Sequence, residues 1–291
     1  MNKVVASILL EYRNFWSRHP AALMAVFVIV LYIIVVIAVS LGWQASLWST
    51  IVGGRWESAG SEFPWGTNMI GQNIFARATT STHTSFMIGS VVTLGTLISS
   101  TLTGIAAGMN QGSKLDHVLM WCAAVLDVIP FYLLAVTIAY AFEGVHGGLE
   151  LALVLAFWSS SMRLIRAEVL RLDTLDFVAA ARMSGVNRWQ VAYRHLLPNL
   201  SPIILIQSTI VFISAIKAEV LISFIGLDSG QRISWGVMLA ESTQEVMVGQ
   251  LNNFLAASGL LTCLVLALNI LTDALQERFN PRYLDGRCLL Y

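Results

Sequence analysis

Residues 21–43 read AALMAVFVIVLYIIVVIAVSLGW, a run without a charged side chain. An α-helix rises about 1.5 Å per residue, so about 20 consecutive apolar residues cross the hydrocarbon core of a bilayer. This run is longer than that and reads as a membrane span. It also exceeds the roughly 7–15 apolar residues of a secretory signal. Since further apolar runs follow, it is expected to be a retained first span.

Composition agrees. Of 291 residues, 56% are hydrophobic and 12% charged, whereas soluble domains usually carry about 25% charged residues. Too few charges remain to cover a water-facing surface. Seventeen basic residues balance seventeen acidic ones, which leaves no global basic field to draw nucleic acid. Cys122, Cys263 and Cys288 lack metal-ligand spacing and read as inert thiols. His19, His83, His117, His146 and His195 are scattered, with no His-x-x-x-His pair, so no metal site is expected.

The apolar runs predict an all-α polytopic fold with spans at 21–41, 86–109, 118–142, 149–165, 200–226 and 251–271. The expected organisation is an N-terminal segment 1–20, a membrane domain 21–282 with a first loop over about 43–85 and a charged loop over about 166–199, and a tail 283–291. Residues 227–250 read as a Gly- and Ser-bearing loop. Cytoplasmic loops retain Lys and Arg. Lys3, Arg13, Arg18, Lys114, Arg163, Arg166, Arg171, Arg182, Arg188, Arg194, Arg278, Arg282 and Arg287 fall on one side of a six-span arrangement, and Arg55, Arg77 and Arg232 on the other. Both termini are therefore expected in the cytoplasm.

The charged loop reads RAEVLRLDTLDFVAAARMSGVNRWQVAYRHLLPN over 166–199. Asp176 offers an N-cap-like start to a helix, and Gly185 can end it by taking a positive φ. A second short helix is expected from Arg188 to Leu196, stopping before Pro198. By spacing alone this is either an amphipathic connector on the membrane surface or a docking element. Within it, Ala180, Ala181, Gly185, Leu197 and Pro198 stand where the EAA motif of ABC importer permeases has its small residues, glycine and Leu-Pro, while Ala179 replaces the motif's acidic residue. The resemblance implies a coupling helix that meets an ATPase subunit. Arg182, Arg188 and His195 complete the candidate coupling set.

Other segments resemble the dipeptide and oligopeptide branch of that family, in its order. Residues 65–74, with Gly66, Thr67 and Gly71, resemble its external signature, although Asn68, Gln72 and Asn73 stand where it has Asp, Arg and Asp. Trp158 to Arg163 with Arg166, Glu219 with Ser223-Phe224-Ile225-Gly226-Leu227, and Ser234-Trp235-Gly236 with Met238-Leu239 follow, then Leu268-Asn269, Asp273 and Asn280-Pro281-Arg282. In the third span Met120 and Pro130 fit, but Trp121 and Ala124 replace the branch's Arg and Asp. The resemblance implies a type I importer permease without chemistry of its own, forming half of a path for di- or oligopeptides. It also implies a second homologous permease, an external solute-binding protein and two separate ATPase subunits, which hold the ATP and Mg²⁺. No cofactor or metal is expected on this chain.

Gly108-Met109-Asn110-Gln111-Gly112-Ser113-Lys114 misses the spacing of a phosphate-binding loop by one residue and by the order of Ser and Lys, so it carries no nucleotide. Lys217 and Glu219, inside the fifth run, are either paired and snorkelling groups or part of the path, with Trp235 and Gly236 as a candidate external gate. Asp127 is a local polar contact or a path residue. The rival reading is a channel or a transporter driven by an ion gradient, using Asp127, Lys217 and Glu219. Against it stands the absence of an internal repeat.

Overall fold

The computed structural model describes residues 20–44, 47–142, 145, 147–226 and 232–279. Residues 1–19 and the tail 283–291 lie outside the described residues, as do Leu227, His146 and Asn280-Pro281-Arg282. Among the described residues the regular elements are helical: α1 (Pro20–Ser40), α2 (Ile74–Met109), α3 (Lys114–Val128), α4 (Phe131–Ala141), α5 (Gly148–Asp173), α6 (Asp176–Met183), α7 (Arg188–Val191), α8 (Leu197–Phe224), α9 (Trp235–Met247) and α10 (Asn252–Phe279). A π-helical turn, Ala192–Leu196, joins α7 to α8. Five helices are long and apolar enough to cross a membrane, namely α1, α2, α5, α10 and the continuous Arg188–Phe224. The bent pair of α3 and α4 adds a sixth if it forms one span. The chain is a polytopic, all-α membrane protein.

Two compact units are present, one of residues 1–84 and 233–291 and one of residues 85–232. In the first, α1 packs on α10, and the Tyr32 hydroxyl donates to the Leu260 carbonyl at 2.7 Å. Its core gathers Ile74, Ala78, Ile233, Met238 and Ala257. In the second, Ile88, Val92, Leu134, Leu153, Ala218 and Ile222 form one core cluster. Ile105, Ile165, Val169, Leu172, Val178, Val191, Leu196 and Leu200 form another.

The first loop is shorter than expected, because α2 begins at Ile74 instead of Phe86. Asn73 caps it, its Oδ1 accepting from the Phe75 amide at 2.9 Å. Hydroxyls made the early turns look like loop. They are satisfied inside the helix: Thr79, Thr82, Thr93 and Thr103 donate to carbonyls four residues back at 2.7–3.0 Å.

The third apolar run is also not one straight span. α3 and α4 meet at 97°. Pro130 lacks an amide hydrogen and pushes Ile129 to an extended conformation, φ −84° and ψ 127°. The expected loop 227–250 contains α9, whose cap Ser234 accepts from the Val237 amide at 3.4 Å. In the charged loop, Leu175 is the cap of α6 and Asp176 its first residue. The helix expected to stop before Pro198 instead runs on into α8. The Leu197 amide bonds to the Ala192 carbonyl, five residues back, and Pro198 sits in the first turn of α8. That wider turn accommodates a ring that an α-helical interior would reject.

Candidate functional site

The loop 166–199 is built on a buried apolar seam. Val178, Val191, Ala192 and Leu196 cluster with Ile165, Val169, Leu172 and Leu200, and Ala181 is buried as well. What remains faces out. Ala179, Ala180, Arg182, Gly185, Arg188, Leu197 and Pro198 are exposed, and His195 is half-buried. Two small alanines therefore form a flat outward surface, rimmed by Phe177 and by Met183, which is 84% exposed.

Gly185 ends α6 at φ +77°. Its amide bonds to the Arg182 carbonyl at 3.0 Å, and the Val186 amide reaches back to Ala181 at 3.3 Å. This paired closure needs a left-handed residue, which glycine alone supplies without strain. A Cβ added to Gly185 would meet nothing within 4 Å. The turn is open to whatever approaches from outside. Asn187 then caps α7 in a reciprocal arrangement with Gln190.

Charged contacts fix the loop to the rest of its unit. Arg182 pairs with Asp173, and Arg188 Nη2 donates to the Met109 carbonyl at 2.8 Å. Arg166 holds Asp116 with two bonds, and Asp116 also accepts from the Gly112 amide at 3.0 Å. Spacing gave no sign of Asp116 or Asp173 as partners, because both are distant along the chain or lie across a turn.

In the other unit, Gly66 and Gly71 take φ of +76° and +82°. Added Cβ atoms there would lie 2.4 Å and 2.3 Å from the carbonyl oxygens of Glu57 and Gly53. Thr67 is buried, donates to the Gly54 carbonyl at 2.7 Å and accepts from the Glu57 amide at 2.8 Å. The loop is folded back on itself around these three residues. Asn68 and Gln72 keep it closed from within: Asn68 Nδ2 donates to Gln72 Oε1 at 3.0 Å, which also accepts from buried Arg77. Arg77 pairs with Glu241 of α9, and Glu245 of α9 accepts from the Met69 amide at 2.7 Å. Burial raises the Glu241 carboxyl pKa, and Arg77 pulls it back down.

Residues 100–285 match the family described as binding-protein-dependent transport system inner membrane component. The chain belongs to that family. It is similar to the dipeptide transport system permease protein DppC of Bacillus subtilis, 26% identical over 75% of this chain and 68% of that one. It is 30% identical to the glutathione transport system permease protein GsiD of Pectobacterium atrosepticum, over 95% and 93% of the two chains. The oligopeptide transport system permease protein OppC of Bacillus subtilis is 24% identical over 75% and 71%.

The loop 166–199 of this inner membrane component thus presents an exposed face, and its remaining candidate residues are dispersed. On α8, Glu219 is fully buried and accepts from Ser85 at 3.0 Å and Ser223 at 2.9 Å, whereas Lys217 is exposed. They occupy different faces of one helix and do not pair. Trp235 and Gly236 are buried in the other unit, with the Trp235 ring edge-on to Tyr32 at 6.2 Å. Asp127 accepts from Ser159 at 2.5 Å and pairs with Arg163 at 2.8 Å. Among the described residues, no group of three or more His, Cys, Asp or Glu side chains is placed to hold a metal.

Proposed function

We propose that this permease forms half of the solute path of an ATP-driven importer for di- or oligopeptides, with the loop 166–199 as the element that receives the stroke of a separate ATPase chain. The observation that carries this reading is the outward face of Ala179 and Ala180, closed by a left-handed Gly185 with open space around it. A membrane-surface connector would have no need for a shallow face that lets another backbone approach closely. Peptide, dipeptide and glutathione relatives support a small peptidic solute.

In this reading a second homologous permease completes the path, and two ATPase subunits carry ATP and Mg²⁺. An external solute-binding protein delivers the solute. Both termini and the loop 166–199 lie in the cytoplasm, and the loop before α2 and helix α9 lie outside. Ala179, Ala180, Ala181, Arg182, Gly185, Arg188, His195, Leu197 and Pro198 serve the ATPase contact. Gly66, Thr67 and Gly71 shape the external loop, and Lys217, Glu219, Trp235 and Gly236 belong to the path or its outer gate.

Reconstitution of the permease with its partners in proteoliposomes tests the reading. Uptake of a labelled dipeptide should require ATP inside the compartment that the loop 166–199 faces, together with the binding protein. Uptake driven by an ion gradient without ATP would support the rival transporter and overturn the proposal.

A further inference from the structure

Beside the loop 166–199, a cavity of about 720 Å³ opens on the surface of the unit 85–232. Ile98, Leu102, Ile105 and Met109 of α2 line it, together with Leu197 and Ile204 of α8. It is a groove and not a sealed void, since Leu102 is 66% exposed and Trp189, also in its wall, 74%. The α2 residues recur every three or four positions and so share one face of the helix. From Leu97 to Met109 that face runs about 18 Å, close to one leaflet of a hydrocarbon core about 30 Å thick.

Polar lining gathers at one end. Apart from Thr101, it consists of Asn110, Arg188 and the amphipathic rings of Trp189 and Tyr193. This is the end at which α2 stops and α7 begins. The Asn110 amide is engaged by the Ala106 carbonyl at 2.8 Å. Arg188 is exposed and donates from Nη2 to the Met109 carbonyl at 2.8 Å, which leaves the rest of its five N–H groups to the outside. Lys114, beside the lining residue Leu115, is exposed as well. Neither cation has a carboxylate partner among the described residues.

These features select the occupant. A hydrophilic solute needs polar walls, and the α2 wall is apolar but for Thr101. An apolar helix of another subunit would match that wall yet leave both cations without a counter-charge. An anionic phospholipid matches both ends. Its phosphate oxygens accept from a guanidinium fork, Trp and Tyr rings sit at headgroup level, and basic pockets between membrane helices hold anionic head groups. We propose that the groove between α2, α7 and α8 binds one anionic phospholipid, with its head group on Arg188 and Lys114 and an acyl chain along Ile98 to Met109. The proposal does not depend on which solute is carried.

Photocrosslinking of the assembled transporter in phosphatidylcholine vesicles tests this. The vesicles carry a small fraction of phosphatidylglycerol or, in parallel, of phosphatidylcholine, each with the same photoreactive acyl chain. After illumination, mass spectrometry of the digested chain should place crosslinks on residues 97–109 and 197–204, at least threefold more from phosphatidylglycerol. Equal labelling by the two lipids would mean a face bathed in bulk lipid, and labelling by neither would mean that another subunit covers the groove. Either result overturns the proposal, and neither needs a variant. Among complexes that retain all subunits, Arg188→Gln with Lys114→Gln should bring the two lipids to equal labelling, while Arg188→Lys should keep the preference. Ala106→Trp, which fills the groove from α2, should lower phosphatidylglycerol labelling at least threefold. A preference that survives the loss of both charges would overturn the headgroup assignment.

Discussion

Arg166 grips Asp116 with a fork, Nε to Oδ1 at 2.7 Å and Nη2 to Oδ2 at 2.8 Å, across fifty residues of chain. The carboxylate has 6% of its surface exposed and the guanidinium 19%, so the pair is sheltered. It binds the end of α5, from which the loop 166–199 emerges, to the start of α3.

Removing one member of a sheltered pair strands the other, at a cost of about 3–5 kcal/mol. Arg166→Gln is expected to lower the melting temperature of the solubilised complex well beyond Arg182→Gln, whose partner Asp173 sits on the surface where pairs contribute about 0–1 kcal/mol. Arg166→Lys keeps the charge but loses the fork and should fall between them. A thermal aggregation series of the three variants checks the order.

Gly185 separates backbone from surface effects. A left-handed φ costs an ordinary residue roughly 1–2 kcal/mol, and Asn less than most. Since nothing in the chain obstructs a Cβ there, Gly185→Asn should reach the membrane and transport at a substantial rate. Gly185→Arg should also reach the membrane but lose at least tenfold in uptake, about 1.4 kcal/mol of coupling. Wild-type uptake by Gly185→Arg with normal ATPase retention would leave the loop as a connector only.

Arg77 is 2% exposed and tied to Glu241 and Gln72. Arg77→Gln should loosen the loop before α2 and make it a target for protease added from the loop side. Arg77→Met with Glu241→Leu removes both charges together and should restore much of the resistance, because it leaves no stranded ion. Cleavage rates in right-side-out vesicles report this directly.

A reporter fused near Ser58 should behave as external. The three arginines that break the Lys and Arg asymmetry each have a local partner: Arg55 bonds to the Met69 carbonyl and lies over the Trp56 ring, Arg77 pairs with Glu241, and Arg232 with Glu150 at 3.2 Å. They are engaged within their own units and say little about sidedness. A cytoplasmic signal at Ser58 would reverse the orientation proposed here.

Apolar runs made most spans legible, because bilayer thickness imposes a length that composition alone reveals. Gly185 was legible too, since one residue type satisfies its φ. The start of α2 was not, as a threonine that bonds back into its own helix looks the same in sequence as one in a loop. Pro130 was visible as a residue, yet the angle it produces depends on how α4 packs against α5. The Arg77 network escaped notice because Gln72, Arg77 and Glu241 meet only once α9 exists, and α9 lay in a stretch read as loop. That Lys217 and Glu219 lie on different faces of α8 followed from helical spacing, but which of them is buried and what each one touches did not.

The π-helical turn at Ala192–Leu196 joins the loop 166–199 to α8 without a break in the helix. Arg188–Phe224 is one rod of 37 residues, roughly 55 Å long at the usual rise. A displacement at its Arg188 end is carried along the shaft as far as Pro202, whose missing amide hydrogen leaves one helical bond unmade. The extra residue in the wide turn gives that shaft a gear tooth. If the bulge migrates by one position, the residue it passes rotates by about 100° about the axis. A small displacement at the Arg188 end would then redirect side chains one after another along the helix.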